Sequence, residues 1–223
     1  MEKHIVKIRS INKVTHDVLQ IVTTKPDLYT FVPGQATEIS INKVGWKDKK
    51  KPFTFTCLPK NEYLEFTIKT YPTHKGVTNQ LLQLAENDEL ILHEVFGAIA
   101  YKGEGTFIAG GAGVTPFISI FRYLQSINGL GDNKLIFANK TKGDIILEQE
   151  FKQLLGVNFI NILSDEKSNG YAMGQITGDF IKANCSGTDK MFYLCGPPAM
   201  MDVVEKQLTA LQVDKKLIVK EEY

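Results

Sequence analysis

The sequence predicts an antiparallel β-barrel with one short helix, followed by a five-stranded, doubly wound parallel sheet with helices. Three observations lead there. At 223 residues the chain exceeds the usual single domain and suits two compact domains of roughly 100 residues each. Up to about residue 100 apolar and polar residues alternate, which is the period of half-buried strands. Beyond that point short apolar runs take turns with helical stretches, the pattern of buried strands joined by crossover helices.

In the first part the alternation runs through His4-Ile5-Val6-Lys7-Ile8, Asp17-Val18-Leu19-Gln20-Ile21-Val22, Thr37-Glu38-Ile39-Ser40-Ile41 and Leu64-Glu65-Phe66-Thr67-Ile68-Lys69. Pro26, Pro33-Gly34, Pro59 and Asn87-Asp88 break it into about six strands, a pattern that suits a barrel or sandwich. Residues 77–85 place Val77, Leu81, Leu82 and Ala85 on one face, so a single helix interrupts the strands. After Tyr101-Lys102-Gly103-Glu104-Gly105, apolar strands at 106–109, 134–138, 157–163, 191–194 and 217–219 alternate with helices at 116–127, 148–155, 177–183 and 199–210. Ligands of such a sheet sit at the carboxyl ends of its strands.

Composition narrows the function classes. Lys and Arg number 26 against 25 Asp and Glu, a balance that leaves no surplus for a nucleic-acid-binding face. No apolar run approaches the roughly 20 residues of a membrane span. The opening MEKHIVKIRS lacks a signal-peptide core, so the expected location is cytoplasmic. Cys57, Cys185 and Cys195 are too few and too widely spaced for a disulfide framework or an iron-sulfur site. His4, His16, His74 and His93 show no ligand spacing, so no metal is expected. Redox chemistry in such a chain would come from an organic cofactor.

Three motifs carry chemistry. Ala109-Gly110-Gly111-Ala112-Gly113-Val114-Thr115-Pro116 ends a strand and opens a helix; its glycines let the backbone approach a phosphate, Thr115 can cap the helix, and Pro116 suits its first turn. Tyr193-Leu194-Cys195-Gly196-Pro197-Pro198-Ala199-Met200 brings a thiol to a strand end beside that loop. Lys51-Pro52-Phe53-Thr54, with Pro33-Gly34-Gln35 before it and Gly76-Val77-Thr78 after it, offers a cation, a ring and a hydroxyl on one extended segment. The helix start at 76–78 offers a second anion site. Each motif taken singly also has a plain structural reading as a turn, a buried cysteine or a β-segment.

Together the three motifs resemble the ferredoxin-NADP reductase superfamily across essentially the whole chain. Lys51-Pro52-Phe53-Thr54 resembles the family's Arg-x-Tyr-Ser/Thr flavin motif, 110–116 its nucleotide motif, and Cys195-Gly196-Pro197-Pro198 its Cys-Gly-Pro-Pro motif residue for residue. Glu94-Val95-Phe96-Gly97 is similar to the segment that closes the family's barrel, and Glu221-Glu222-Tyr223 to its Glu-x-aromatic ending. The resemblance implies an FAD-binding barrel over 1–101 and an NAD(P)-binding α/β domain over 102–223. It places Thr54 near flavin N5, Ile68, Lys69, Thr70 and Tyr71 along the flavin, and Gly76, Val77 and Thr78 at the diphosphate. It places Gly110, Gly111, Gly113, Thr115, Pro116, Asn139, Ser164, Asp165, Cys195, Gly196 and Pro197 on the nicotinamide nucleotide. Tyr71 is a candidate adenine platform, Tyr223 a cover for the flavin face, and Glu221 an aid to proton exchange. The departures are Lys51 for arginine, which removes a bidentate fork, and Phe53 for tyrosine, which removes a hydroxyl.

Ser164-Asp165-Glu166-Lys167 puts carboxylates where NADP-using members place Ser-Arg, which favours NADH; Lys167 or Lys140 would serve NADPH instead. The implied activity passes hydride from NAD(P)H to FAD and single electrons to an acceptor such as ferredoxin or flavodoxin. Lys47-Asp48-Lys49-Lys50-Lys51 either attracts that acidic partner or is a solvated loop. The alternatives are a flavin, ferric or cytochrome reductase, and a non-catalytic flavin- or nucleotide-binding regulator.

Overall fold

The structure, a computed structural model, describes residues 3–221. Six strands fill the first part: β1 (His4–Lys13), β2 (Val18–Thr24), β3 (Ala36–Ile41), β4 (Lys51–Thr54), β5 (Tyr63–Lys69) and β6 (Glu89–Phe96). They pair antiparallel in the order β4-β3-β6-β1-β2-β5. The two end strands also meet, because Phe55 bridges to Phe66 and Thr56 N–H donates to Glu65 O at 2.8 Å. The sheet therefore closes into a barrel and loses its free edges. Inside, Phe31 stacks on Phe55 at 4.1 Å, and Val6, Ile8, Ile21, Ile39 and Leu92 fill the rest.

The helix expected over 77–85 is shorter and tighter. One α-helical turn, α1 (Val77–Gln80), passes into a 3₁₀ turn at Leu81–Gln83. Three residues per turn move the buried face from Leu82 and Ala85 to Leu84.

The second part holds β7 (Gly105–Gly110), β8 (Lys134–Asn139), β9 (Phe159–Leu163), β10 (Ala172–Met173), β11 (Met191–Cys195) and β12 (Ile218–Lys220). They form a parallel sheet in the order β10-β9-β8-β7-β11-β12. This is six strands rather than five. The extra one, β10, is two residues long, too short to register as an apolar run. Helices α2 (Thr115–Ser126) and α3 (Glu148–Leu155) cover one face, where Phe107, Phe137 and Tyr193 meet Phe117, Phe121 and Phe151. Helices α4 (Gly178–Asn184) and α5 (Pro198–Ala210) cover the other, where Ile108, Ile136 and Leu194 meet Ile181, Val204 and Leu208. Among the described residues no helix is long and apolar enough to cross a membrane.

The barrel packs directly on α2. Val18 and Ile99 join the core of the parallel half, and β5 is buried on both sides, Glu65 and Thr67 included. Its polar alternation therefore marks a face covered by the neighbouring domain, not by water. Glu65 Oε1 accepts from Thr56 Oγ1 at 2.8 Å and from Arg122 Nη1 at 2.6 Å; the same nitrogen donates to Thr56 O at 2.7 Å. Arg122 Nε and Nη2 grip Glu150 of α3 at 2.5 and 2.8 Å. Burial opposes the charge on Arg122, but the bond to Glu150 and the charges of Glu65 and Glu150 more than offset it and raise its pKa.

Gly34 marks a close approach of the barrel to α2. Its φ is +102°, its N–H donates to Ser119 Oγ at 2.9 Å, and a Cβ there would stand 2.4 Å from Ile99 O. Gly34→Ala is expected to lower the unfolding free energy by roughly 1–3 kcal/mol, read from urea denaturation; a change within experimental error would show that the interface yields.

Candidate active site

Strand β7 has β8 on one side and β11 on the other, so the loops leaving β7 and β11 stand side by side at the crevice outside the carboxyl ends of the strands, where such sheets bind ligands. Both loops are drawn together by small residues. A Cβ on Gly110 would meet Met200 Sδ at 2.5 Å and Pro197 Cδ at 2.9 Å, and one on Gly113 would meet Cys195 O at 2.2 Å. The Gly110, Gly111 and Gly113 loop therefore lies against Cys195, Gly196 and Pro197. Gly111, with φ +50°, has nothing within 4 Å of its missing side chain, which leaves an open backbone surface.

Thr115 does not cap its helix. A 3₁₀ turn at Gly111–Val114 starts the winding early, and Thr115 becomes the first residue of α2, with Pro116 next. Its hydroxyl donates to Ala112 O at 3.0 Å and stands 3.3 Å from Thr54 Oγ1. The ends of the flavin-like motif and of the nucleotide-like motif are thus in contact.

Cys195 ends β11 beside Ala109 and is buried. Burial, and then the charge of Glu221, push its thiol up to about 12, so it is a neutral thiol rather than a nucleophilic thiolate. Burial also raises the Glu221 carboxyl. A Cβ on Gly97 would lie 3.7 Å from Glu221 Oε1, which sets this carboxyl against the barrel. Tyr223 lies outside the described residues.

On the barrel, Lys51, Pro52, Phe53 and Thr54 are the whole of β4, paired with β3 from Ile39 to Ala36. Phe53 packs on the barrel core while Lys51 is exposed. Beside it is a pocket of about 420 Å³ lined by Lys51, Tyr71, His74, Lys75 and Gly76-Val77-Thr78. Tyr71 stacks on His74 with ring centroids 5.4 Å apart. Helix α1 is a single turn and offers no useful dipole. The pocket's positive charge comes from Lys51 and Lys75 instead. The rest of the 68–71 run is committed elsewhere: Ile68 is core, Lys69 Nζ pairs with Asp17 Oδ2 at 2.8 Å, and Thr70 gives its N–H and hydroxyl to Asp17 O. Two ammonium groups, a stacked aromatic pair and the open backbone of Gly76 form a donor set that fits a dinucleotide such as FAD.

At the far end of the crevice, Asn139 closes β8 with both amide atoms buried and unpartnered, and Asn161 Oδ1 on β9 is in the same condition. Such groups call for a polar ligand or water. Ser164 N–H bonds Asn139 O at 3.0 Å, Asp165 N–H bonds Lys140 O at 2.9 Å, and Ser164 Oγ donates to Asp165 Oδ1 at 2.6 Å. Sequence reasoning missed His74, Lys75, Asn161, Ser119 and Arg122. The first two stand immediately before Gly76, and the last two continue the helix from Thr115 at helical spacing. It also missed His16, whose ring lies 3.7 Å from Asp17 and 3.8 Å from Asp144. Their ligand atoms lie within 4.8 Å of one another, but Lys69 already neutralises Asp17 there.

A family model described as an FAD-binding domain matches residues 3–106, and one described as an oxidoreductase NAD-binding domain matches residues 107–206. The ferredoxin NADP+ reductase from Neisseria gonorrhoeae, solved with bound FAD and NADP, has the same fold: TM-score 0.83, 15% identity, 99% of this chain and 98% of that one covered. The chain joins an FAD-binding domain to an oxidoreductase NAD-binding domain in the fold of a ferredoxin-NADP reductase. Relatives similar in sequence include the 2-halobenzoate 1,2-dioxygenase electron transfer component of Burkholderia cepacia, 24% identical over 81% of this chain and 55% of the relative. NADH oxidoreductase HCR of Escherichia coli is 25% identical over 94% of this chain and 65% of the relative. The chain spans between 54% and 65% of the length of the curated relatives it matches. The FAD-binding and NAD-binding domains are those the resemblance implied.

Two outcomes check this geometry. Gly113→Ala forces the nucleotide loop off Cys195 and is expected to weaken NAD+ binding by about tenfold or more, measured by calorimetric titration with flavin content unchanged. Glu221 tests the electrostatics: a carboxyl raised by burial stabilises the fold fully below its unfolded pKa of about 4.3 and loses that contribution as pH climbs through the raised value. Glu221→Gln should therefore match the parent in stability near pH 4 and exceed it near pH 8 in denaturation curves.

Proposed function

We propose that the protein is an FAD-dependent oxidoreductase that draws hydride from NADH and delivers electrons singly to a separate redox protein. The observation that carries this reading is the 3.3 Å contact of Thr54 and Thr115, which joins the barrel motif to the nucleotide loop at one point of the crevice. FAD, when bound, supplies a ring that accepts hydride and releases electrons one at a time.

The chain's own residues would hold both nucleotides where the two domains meet. We assign residues 1–101 to flavin and 102–223 to the nicotinamide nucleotide. Lys51 and Lys75 neutralise the flavin diphosphate beside Gly76, Val77 and Thr78, and Tyr71 carries the adenine in place of its stacking partner His74. Phe53 backs the β4 segment, and Thr54 presents a hydroxyl toward flavin N5. The open backbone at Gly111 takes the second diphosphate. Cys195, kept neutral by burial, borders the nicotinamide and excludes water without competing as a nucleophile. Glu221, with its raised pKa, holds a proton near neutral pH more readily than an exposed carboxyl. Asn139 and Asp165 meet the adenosine ribose, and the Asp165 charge repels a 2′-phosphate, which favours NADH over NADPH.

Relatives named as an electron transfer component and as an NADH oxidoreductase support both ends of the reaction. The exposed lysines Lys47 and Lys49 beside the barrel suit an acidic acceptor of the ferredoxin or flavodoxin kind. Three free cysteines suit the reducing cytoplasm.

Stopped-flow mixing of the FAD-loaded protein with NADH and NADPH side by side tests the reading. NADH should bleach the flavin and sustain turnover with an artificial acceptor, faster than NADPH. Cys195→Ala should slow bleaching at saturating NADH by about ten- to a hundredfold while flavin is retained. A colourless protein, or one reduced slowly by both nucleotides, sinks the proposal.

A further inference from the structure

Thr115, Ser119 and Arg122 stand at i, i+4 and i+7 of α2, on one stripe of the helix about 60° wide. Each reaches a different segment of the barrel. Thr115 Oγ1 meets Thr54 Oγ1, at the end of β4, at 3.3 Å. Ser119 Oγ accepts from Gly34 N–H, in the loop before β3, at 2.9 Å. Arg122 Nη1 donates to Thr56 O and to Glu65 Oε1 of β5, at 2.7 and 2.6 Å. From behind, the bidentate grip on Glu150 fixes the guanidinium plane.

These contacts are polar in a place where apolar packing would have served. Ser119 is fully buried, Thr115 is 9% exposed and Glu65 7% exposed. Apolar faces can slide over one another by fractions of an ångström at little cost, whereas directional hydrogen bonds to three separate segments resist translation and rotation of the helix at once. The first turn of α2 continues directly from the Gly111–Val114 turn, so any slip of α2 would carry the nucleotide loop relative to Thr54. Near-attack geometry tolerates little such slip.

We propose that the Thr115–Ser119–Arg122 stripe is a positioning device that sets the spacing between the nucleotide loop and Thr54, and so governs the rate of hydride transfer rather than the tightness with which either nucleotide is held. The proposal rests on the reductase reading above. Ser119 and Arg122 act through α2 and touch no reacting atom.

The test compares FAD-loaded parent protein with Ser119→Ala, Arg122→Met and Arg122→Lys. It measures flavin content, NAD+ affinity by calorimetry, melting temperature, and the rate of flavin reduction at saturating NADH. Arg122→Met should slow reduction at least tenfold and Ser119→Ala at least threefold, with NAD+ affinity within threefold of the parent and flavin content per folded protein unchanged. Arg122→Lys, which cannot hold Glu65 and Glu150 together, should recover part of the rate. Should Arg122→Met fail to fold, Ser119→Ala carries the test. Rates within twofold of the parent in Ser119→Ala and in every Arg122 variant that folds, or rates that fall only in step with lost flavin or weakened NAD+ binding, overturn the positioning role. A parent protein that NADH does not bleach overturns the reductase reading itself, a result distinguishable from either.

Discussion

A buried carboxylate on a barrel strand governs how the two halves of this molecule meet. Glu65 lies on β5, where its neighbours are core residues, and its charge is tolerable there only because Arg122 enters from α2 and Thr56 adds a hydrogen bond. Arg122 in turn is balanced by Glu150 on α3. Removing Arg122 strands the buried charge of Glu65, so β5 and α2 depend on each other. Because α2 also begins at the nucleotide loop, the constraint that joins the domains is the one that locates the site.

The crevice divides into zones of different electrostatics. At its centre, burial raises both the Cys195 thiol and the Glu221 carboxyl and so disfavours charge there. Beside β4, exposed Lys51 and Lys75 supply positive charge to the pocket. At the ends of β8 and β9, Asp165 supplies a carboxylate and Asn139 an unpartnered amide. In the proposed reductase, such charged ends would sort and orient the nucleotides that enter.

Much of the fold is legible along the chain because it depends on local periodicity. Strands β1, β2, β3 and β5, the five longer strands of the parallel sheet and helices α2 to α5 begin within a few residues of where the pattern places them, since each buries one face or both against an adjacent layer. The misreadings have physical causes. Residues 77–85 tighten into a 3₁₀ turn because the barrel wall selects Leu84 for burial in place of Leu82 and Ala85. Thr115 is drawn away from capping because the glycine turn before it winds early. Strand β5 reads as half-exposed because Glu65 and Thr67 are polar, yet α2 covers them. His16 and Asp144 are 128 residues apart and approach only where the domains touch.

The sequence by itself determined the order of barrel and parallel sheet, the two glycine-bearing loops, and the Lys51–Thr54 and Cys195–Pro198 motifs, because backbone freedom and side-chain period are properties of neighbouring residues. Tertiary structure alone decided that Thr54 meets Thr115, that Arg122 joins Glu65 to Glu150, and that Lys75 and His74 complete the pocket beside Lys51. Those are contacts between segments that the chain separates by up to tens of residues, and no local preference encodes them. They follow from the way a closed barrel and a twisted sheet can share one helix.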